Sequence, residues 1–301
     1  MKQRVLDISG DGAFLRRNRG LLNIAFNERV EKPPINVPFD EIESVIVHAL
    51  HAGYSHAALV ELAENNIPVV FCDSRHRPTA WLWPVYGHHR QSARMQAQIA
   101  ASKGLKRRLW AQIVKAKLQA QAGVLEKCGK NGQAIHAMAG RVRSGDPDNL
   151  EAQAAARYWP QLMGKAFRRD SGGSHSNSLL NYGYTVLRAT VARNIVGSGL
   201  HPTIGIHHKN EFNDFCLADD LVEPFRPLVD QAVADLIKAG TITVTPEAKL
   251  TLVSLLETPI EGSEGYSPAS RAIERLCLSL ANSFLEARLL LDLPKMSGSL
   301  L

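Results

Sequence analysis

Short apolar runs, broken by glycine, proline and asparagine, fill the first part of the chain and predict β-strands. These runs lie at residues 4–8, 14–15, 21–26, 42–47 and 67–72. Residues 55–65 differ, because their apolar side chains recur at helical spacing and predict a single helix. We therefore expect residues 1–87 to form a small β-rich domain.

The pattern changes at Arg90, where long stretches rich in Ala, Gln, Leu, Lys and Arg begin. Helical spacing of apolar residues continues to about residue 127 and returns at 133–142, 149–163, 177–197, 221–239, 247–257 and 267–290. The turn-forming residues 144–149 are typical of a helix start and would put Glu151 in the first turn. The sequence thus predicts an α+β fold, in which the β-rich domain is followed by a larger all-α domain at 88–301.

Charge is distributed unevenly along the chain, although the formal net charge is only +6. Residues 90–200 carry 18 Lys and Arg against 5 Asp and Glu, whereas residues 201–301 carry 8 against 14. A basic middle followed by an acidic segment is the pattern expected of a polyanion-binding surface beside a metal site. Solvated helices rich in Lys and Arg would show the same pattern, so charge alone leaves nucleic acid binding open.

Composition and motifs exclude several classes of protein. The four cysteines form no CxxC pair, which argues against a zinc ribbon and against a secreted disulfide framework. Charge interrupts the first residues too soon for a signal peptide, and no run approaches about 18 apolar residues, so we expect a cytoplasmic protein that does not span a membrane. No Walker-type loop, GxSxG elbow or GxGxxG fingerprint occurs, which disfavours nucleotide hydrolases, serine hydrolases and dinucleotide enzymes.

The candidate chemistry is concentrated in one segment, where His207 and His208 precede Asp219, Asp220 and Glu223. Carboxylate oxygens plus one imidazole suit a divalent cation such as Mg²⁺ or Mn²⁺. Adjacent side chains diverge, so only one of the two histidines is expected to face a given site. The acidic residues also have an ordinary explanation, because carboxylates at a helix start interact favourably with the helix dipole.

Glu151 and a set of basic residues are further candidates for the functional site, and each also has an ordinary structural explanation. Glu151 could be a metal ligand or simply a first-turn charge. Six basic residues could line a path for DNA phosphates or could be ordinary surface charge: Arg157, Lys165, Arg168, Arg169, Arg188 and Arg193.

Three segments together resemble a known family. They read Asn-Leu-Glu-Ala at 149–152, Ser-Leu-Leu-Asn-Tyr-Gly-Tyr at 178–184, and, within 204–227, Ile-Gly-Ile-His-His followed by Leu-Ala-Asp-Asp-Leu-Val-Glu-Pro-Phe-Arg-Pro. The family is the CRISPR-associated integrase of the spacer-acquisition module, the first-numbered Cas protein, in the version found beside type II systems. The likeness covers essentially the whole chain, including the β-domain and the helical domain that follows it.

The resemblance implies a metal site made of Glu151, His208 and Glu223, which would bind Mg²⁺ or Mn²⁺. His208 is chosen because it precedes Glu223 by the separation that the type II branch shows, and His207 stays an alternative. Other branches have aspartate in the place of Glu223. Asp220 would support the site without binding the metal directly.

The resemblance also implies an activity. The free 3′-hydroxyl of a short DNA duplex attacks a phosphodiester at the boundary of a CRISPR repeat, so that a spacer is inserted without any side-chain nucleophile. The implied partners of this prokaryotic protein are double-stranded DNA, a second copy bound through the β-domain, the small dimeric second-numbered Cas protein and the type II RNA-guided effector nuclease.

Two other functions use the same residues. A metal-dependent endonuclease specific for DNA structure would cut without joining, and sequence cannot separate the two reactions. A non-catalytic DNA-binding scaffold would keep Glu151, His208 and Glu223 for structural reasons only. The basic middle of the chain disfavours a metalloenzyme that acts on small molecules, and the final residues 297–301 receive no role.

Overall fold

The computed structural model describes most of the chain and divides it into two compact units, Met1–His89 and Arg90–Leu301. The described residues are 4–10, 12–26, 33–73, 78–82, 84, 90–170, 176–263 and 265–295. The predicted boundary after residue 87 and the tail at 297–301 lie outside these ranges. Among the helices described, none is both long enough and apolar enough to cross a membrane.

The first unit contains eight described strands in two four-stranded sheets. The strands are β1 (Arg4–Ile8), β2 (Phe14–Asn18), β3 (Leu21–Ala25), β4 (Ile35–Pro38), β5 (Ile42–Val47), β6 (Gly53–Tyr54), β7 (Val69–Cys72) and β8 (Pro78–Leu82). One sheet has the order β1-β5-β7-β8, with β8 antiparallel to β7 and the other pairs parallel. The other has the order β4-β3-β2-β6, with only β6 parallel to its neighbour.

The core of the first unit forms around β5, which is buried along its whole length because it lies between two parallel neighbours. Helix α1 (His56–Glu64) connects β6 to β7 and begins where the Ser55 hydroxyl accepts a hydrogen bond from the Ala58 amide at 3.2 Å. Its Ala58 and Leu62 side chains belong to the same apolar cluster as β5. The predicted β-rich domain with one helix is confirmed.

The second unit is mainly helical. Its α-helices are α2 (Gln91–Ala100), α3 (Lys103–Lys127), α4 (Gln133–Arg141), α5 (Leu150–Met163), α6 (Ser176–Gly197), α7 (Cys216–Val222), α8 (Arg226–Lys238), α9 (Pro246–Ser254) and α10 (Ala269–Leu285). Single turns of 3-10 helix occupy Glu223–Phe225 and Leu255–Glu257. A two-stranded hairpin, β9 (Pro259–Gly262) and β10 (Gly265–Pro268), precedes α10.

The α+β class is confirmed, with two differences of detail in the helical unit. The hairpin was not predicted, because its strands are only four residues long and lack apolar alternation. The helix predicted at 221–239 is divided into α7, a 3-10 turn and α8. Pro224 has no amide proton to donate, so the regular α-helical ladder is interrupted at this point.

Two long helices form the core of this unit and position the candidate site. Helix α3 packs against α4, α5, α8 and the 3-10 turn after α7, so that it is buried on almost every side. Helix α6 packs against α7, α8, α9 and α10. The helices α6 and α8 approach closely at Gly183, where a Cβ atom would lie 2.5 Å from Val229 Cγ1.

Candidate active site

Lys117 of α3 is the centre of the candidate site. Its Nζ atom lies 2.6 Å from Glu151 Oε1 and 2.5 Å from Glu223 Oε2, and its side chain is only 11% exposed. Burial alone would lower the pKa of Lys117, but the Glu223 and Glu151 carboxylates raise that pKa above its ordinary value. Two of the three predicted metal ligands, Glu151 and Glu223, therefore converge on one buried position, which the Lys117 ammonium occupies.

Glu151 is held in place by the start of α5. Asn149 precedes α5 with a left-handed backbone (φ 50°), and its side chain does not cap the helix. Asp146 caps the N-terminus of α5 instead. The two oxygens of Asp146 accept hydrogen bonds from the amides of Leu150 (2.9 Å) and Glu151 (3.0 Å). The predicted placement of Glu151 in the first helical turn is confirmed.

Glu223 lies on the 3-10 turn between α7 and α8, with only 4% of its side chain exposed. Burial would raise the pKa of this carboxyl, but the charges of Arg226 and Lys117 outweigh burial and hold the pKa below its ordinary value. Arg226 Nε lies 3.2 Å from Oε1. Oε2 accepts no hydrogen bond of good geometry within the described residues, although the Lys117 ammonium is close to it.

Asp220 organises the other side of the site and is completely buried. Its carboxylate accepts hydrogen bonds from three successive backbone amides, those of Ile206 (2.5 Å), His207 (3.0 Å) and His208 (3.1 Å). Gly205 is required at this approach, because a Cβ atom there would lie 3.0 Å from Asp220 Oδ2 and 2.5 Å from the His208 carbonyl oxygen.

Asp220 also fixes the ring of His208. His208 Nδ1 donates to Asp220 Oδ1 at 2.7 Å, and this bond raises the pKa of the imidazole above its ordinary value although burial opposes the shift. A carboxylate only accepts, so the neutral ring carries its proton on Nδ1 and presents Nε2 as an electron-pair donor. Carboxylate-bound histidines of this kind are the usual arrangement at metal sites.

His207 has a different role in the packing. Its ring is stacked on the buried Trp110 ring, with centroids 4.3 Å apart and an interplanar angle of 2°. The His208 ring meets the same Trp110 edge-on at 5.6 Å. Trp110 thus braces both histidines, and the stacking of His207 favours His208 as the ligand.

The chemical types of the three predicted ligands suit a divalent cation. Two carboxylates and an imidazole of fixed tautomer are suitable ligands for Mg²⁺ or Mn²⁺, and Glu223 Oε2 is a buried anionic atom without a hydrogen bond. Within the described ranges, no three His, Cys, Asp or Glu side chains are arranged tightly enough to hold a metal ion. The Lys117 ammonium bridges Glu151 and Glu223 instead.

Two of the six basic residues predicted to line a phosphate path, Arg188 and Arg169, interact with polar side chains of the protein. Arg188 lies in an ion pair with Asp219, with Nε 2.7 Å from Oδ1, and its Nη2 also donates to Asn213 at 3.0 Å. Arg169 donates to Asn177 (3.0 Å) and Asn181 (2.7 Å). Both side chains therefore have structural partners, which is the ordinary explanation considered above.

The other four predicted basic residues differ in exposure. Arg157, Lys165 and Arg168 are exposed, whereas Arg193 is half-buried on α6. Arg168 donates to the backbone carbonyls of Lys165 and Phe167, both at 2.9 Å.

Lys117, Trp110 and Arg226 were missed by the sequence analysis. Helix α3 has apolar residues on almost all faces, so a lysine in its centre is a candidate for burial beside a carboxylate, and this was the available signal. Lys115 and Lys117 stand two positions apart in the same stretch, and only the packing of α3 distinguishes them.

Comparisons with known proteins identify the family of the chain. A sequence profile of the family described as CRISPR associated protein Cas1 matches residues 6–253. A CRISPR-associated endonuclease Cas1 from Neisseria meningitidis serogroup C is 35% identical over 247 residues, which is 81% of each chain.

Two solved structures share the fold. One is a casposase bound to its integration product, with a TM-score of 0.82 and 21% identity over 97% of this chain and 93% of that chain. The other is a Cas6-RT-Cas1–Cas2 complex, with a TM-score of 0.73 and 17% identity over 95% of this chain and 35% of that chain. The type II branch stays a prediction. The family profile spans most of both units, so the resemblance to the family is confirmed and the chain belongs to the Cas1 family.

Proposed function

We propose that this protein is a metal-dependent DNA integrase of CRISPR adaptation, which inserts short duplex DNA into a CRISPR array by 3′-hydroxyl transesterification. The observation that carries the proposal is the convergence of Glu151 and Glu223, from separate helical segments, on one buried cation position. The relative from Neisseria is named an endonuclease, and the casposase is bound to an integration product. Both names describe chemistry at a DNA phosphodiester.

Glu151, Glu223 and His208 would hold the Mg²⁺ or Mn²⁺ ion. When bound, such an ion polarises a phosphoryl oxygen and stabilises the attacking and leaving oxygens. No side-chain nucleophile is needed, because the attacking group is the 3′-hydroxyl of the DNA itself. The chain's own residues supply the geometry that the reaction requires.

Each supporting residue has a separate task in this geometry. Asp220 fixes the tautomer and direction of His208 through the 2.7 Å bond. Arg226 holds one oxygen of Glu223. Trp110, buried under both histidine rings, keeps water from that side of the site. Lys117 would leave its bridging position when the ion enters, and its ammonium would then be available to the negative phosphate.

The proposed partners follow from the charge and from the relatives. The excess of basic residues at 90–200 would hold double-stranded DNA through its phosphates. A solved structure of this fold is a complex that contains Cas2, and we propose the same small partner here. We further propose that residues 1–87 form the homodimer contact. The type II assignment and its effector nuclease remain predictions.

A strand-transfer assay tests the proposal. Purified protein, a short duplex with free 3′-hydroxyls, a repeat-containing plasmid and Mn²⁺ would be combined with and without Cas2. Glu223→Gln should reduce joined DNA at least about a hundredfold, since even residues that hydrogen-bond to metal ligands cost about 10–100-fold when removed. Glu247→Gln, at a fully exposed helix start, is the matched control and should leave joining unchanged.

Two results would overturn the integrase function, and a third would overturn only the proposed metal site. Cleavage without joining would establish the endonuclease alternative, which uses the same residues. DNA binding with neither reaction, in the presence of metal and Cas2, would leave the scaffold. Joining that survives in folded Glu223→Gln would exclude the proposed metal site.

A further inference from the structure

Asp230 of α8 is a buried carboxylate that the function described above does not use. Asp230 is 1% exposed, and its two oxygens accept hydrogen bonds from two tyrosine hydroxyls, those of Tyr158 on α5 (3.0 Å) and Tyr184 on α6. Burial and the Asp230 charge raise the pKa of both tyrosines well above the ordinary value, so both hydroxyls keep their protons and donate. One carboxylate therefore connects three helices of the second unit.

The Tyr184 hydrogen bond leads to Glu223 through Arg226. The guanidinium carbon of Arg226 lies 4.9 Å from the centroid of the Tyr184 ring, within the range of a cation–π contact. Arg226 Nε in turn lies 3.2 Å from Glu223 Oε1. Because its hydroxyl is bonded to Asp230, the Tyr184 ring has a fixed place, and that ring supports the guanidinium that faces Glu223.

The Tyr158 hydrogen bond leads to Glu151 along α5. The two residues are seven positions apart on this helix, which is close to two turns, so their side chains lie on the same face. The bond from Tyr158 to Asp230 therefore holds α5 beside α8 on the face that carries Glu151. Each of the two carboxylates near Lys117 is thus linked to Asp230 through one tyrosine.

Helices α6 and α8 pack closely beside this hydrogen-bonded group. Gly183 precedes Tyr184 and Val229 precedes Asp230, and a Cβ atom on Gly183 would lie 2.5 Å from Val229 Cγ1. The contact between these helices has no space for an additional side-chain atom. A buried hydroxyl that loses its partner is destabilised, so the two tyrosines depend on the Asp230 carboxylate for their positions.

We infer that Asp230 is a positioning residue for the two carboxylates of the proposed metal site. Through its two tyrosines it holds Arg226 against Glu223 and holds the face of α5 that carries Glu151. Asp230 acts through these side chains and touches neither the metal nor the DNA. The inference rests on the proposed function, because it states what keeps the carboxylates of that same site in place.

Mn²⁺ binding measured by titration calorimetry tests this role. The buffer would be at about pH 8, because burial raises the pKa of Asp230 to about 6 and the carboxylate is then ionised. Asp230→Leu should weaken Mn²⁺ binding about tenfold, the lower end of the loss seen when residues around metal ligands are removed. Asp230→Asn keeps one acceptor oxygen in the same place and should recover most of the affinity.

A cavity elsewhere in the same unit is the matched control. Leu280 is fully buried on α10, and Leu280→Ala should lower the unfolding temperature through loss of packing. It should leave Mn²⁺ affinity unchanged, because Leu280 has no link to either carboxylate. All variants would first be compared with wild type by circular dichroism.

The two tyrosines are tested by a double-mutant cycle. Tyr158→Phe and Tyr184→Phe each remove one oxygen atom and should each weaken Mn²⁺ binding about fivefold. Neither substitution should weaken binding further when Asp230→Leu is already present, because the hydroxyls then have no carboxylate to bind. These small changes also carry the test if Asp230→Leu does not fold.

Nuclear magnetic resonance gives a readout that needs no metal. The Arg226 Nε–Hε signal, assigned by its loss in Arg226→Lys, is sensitive to the Tyr184 ring beside it. This signal should shift in metal-free Asp230→Leu and return towards its wild-type position in Asp230→Asn. Leu280→Ala should leave it unchanged.

Strand transfer separates positioning from catalysis. Saturating Mn²⁺ should restore joining by Asp230→Leu, because the ligands themselves are intact, whereas it should not restore joining by Glu223→Gln. Joining by Asp230→Leu that stays low at every Mn²⁺ concentration would contradict the positioning role.

The inference fails if folded Asp230→Leu keeps the wild-type Mn²⁺ affinity and the wild-type Arg226 signal. It also fails if Leu280→Ala weakens Mn²⁺ binding as much as Asp230→Leu, or if the tyrosine substitutions still weaken binding in the Asp230→Leu background. Calorimetry and resonance need no turnover, so they decide the inference even if wild type never joins DNA, a result that would contradict the proposed function alone. A wild type that binds no Mn²⁺ would contradict both the proposed metal site and the inference.

Discussion

Replacement of Lys117 by methionine should destabilise the metal-free protein and increase its response to metal. Methionine has about the length of lysine, so the substitution removes the ammonium and leaves the apolar stem in α3. Glu151 and Glu223 then lose the cation that lies within 2.6 Å of both. Two carboxylates that share one buried position would repel each other.

The magnitude follows from the surroundings of the two carboxylates. Removal of one partner of a buried ion pair costs about 3–5 kcal/mol. The lower end applies here, because Arg226 remains beside Glu223 and the Glu151 side chain is 23% exposed. For units of 150–250 residues, 1 kcal/mol shifts Tm by about 2–4 °C, so a loss of about 3 kcal/mol corresponds to about 6–12 °C.

Thermal unfolding followed by circular dichroism would measure this loss in a chelating buffer and with Mn²⁺. Mn²⁺ should stabilise Lys117→Met more than wild type, since the ion no longer competes with an ammonium for the same carboxylates. Titration calorimetry should show correspondingly tighter Mn²⁺ binding by the variant. Lys115→Met, a half-buried lysine two positions earlier on α3, is the matched control.

Two results would refute this reasoning. If Lys117→Met unfolds at the wild-type temperature without metal, the buried ion pairs contribute nothing to stability. If Mn²⁺ stabilises the variant and wild type equally, Lys117 and the ion do not compete for one position. A loss of stability as large in Lys115→Met would indicate a general effect of substitution in α3.

Three other substitutions test two parts of the site and the buried Asp230 of α8, which accepts hydrogen bonds from the Tyr158 and Tyr184 hydroxyls. Gly205→Ala should lower the free energy of unfolding in urea by about 1–3 kcal/mol and weaken Mn²⁺ binding, because the added Cβ would lie 3.0 Å from Asp220 Oδ2. Unchanged metal affinity would contradict this prediction. Asp146→Ala should cost about 1 kcal/mol through loss of the α5 cap, and Asp146→Asn should recover most of it. Burial raises the pKa of Asp230 to about 6 from 3.8, so its contribution to stability is complete below pH 3.8 and is lost as pH rises through 6. Relative to Asp230→Asn, wild type should therefore lose about 2 kcal/mol between pH 4.5 and pH 7 in urea unfolding, and parallel pH profiles would contradict this.

The sequence alone was sufficient to predict the fold where local signals determine the structure. Apolar runs and turn residues located β1, β2, β3, β5 and β7 of the first unit, but not β4, β6 and β8. Residues 144–149 located the start of α5 with Glu151 in its first turn. These features depend on backbone preferences and capping over a few residues, which a single sequence contains.

The sequence alone was insufficient to predict the site where packing decides which contacts neighbouring residues make. Asp220 and Glu223 are only three positions apart, yet the Asp220 carboxylate binds the backbone at 206–208 while the Glu223 carboxylate lies against Lys117 of α3. Arg188 was a candidate for DNA binding, but it is paired with Asp219. No local pattern contains these contacts, because the partners are far apart in sequence.

The hydrogen bonds of Asp220 and Glu223 distinguish the roles of these two carboxylates more clearly than their spacing in the sequence does. Asp220 already accepts from three backbone amides and from His208, so a metal would have to displace bonds that hold the loop in place. Glu223 has one buried oxygen near a cation but without a hydrogen bond, and replacing that cation breaks no backbone contact. A metal ion would therefore displace fewer bonds at Glu223 than at Asp220, and this difference supports the proposal that Glu223 is the ligand and that Asp220 positions His208.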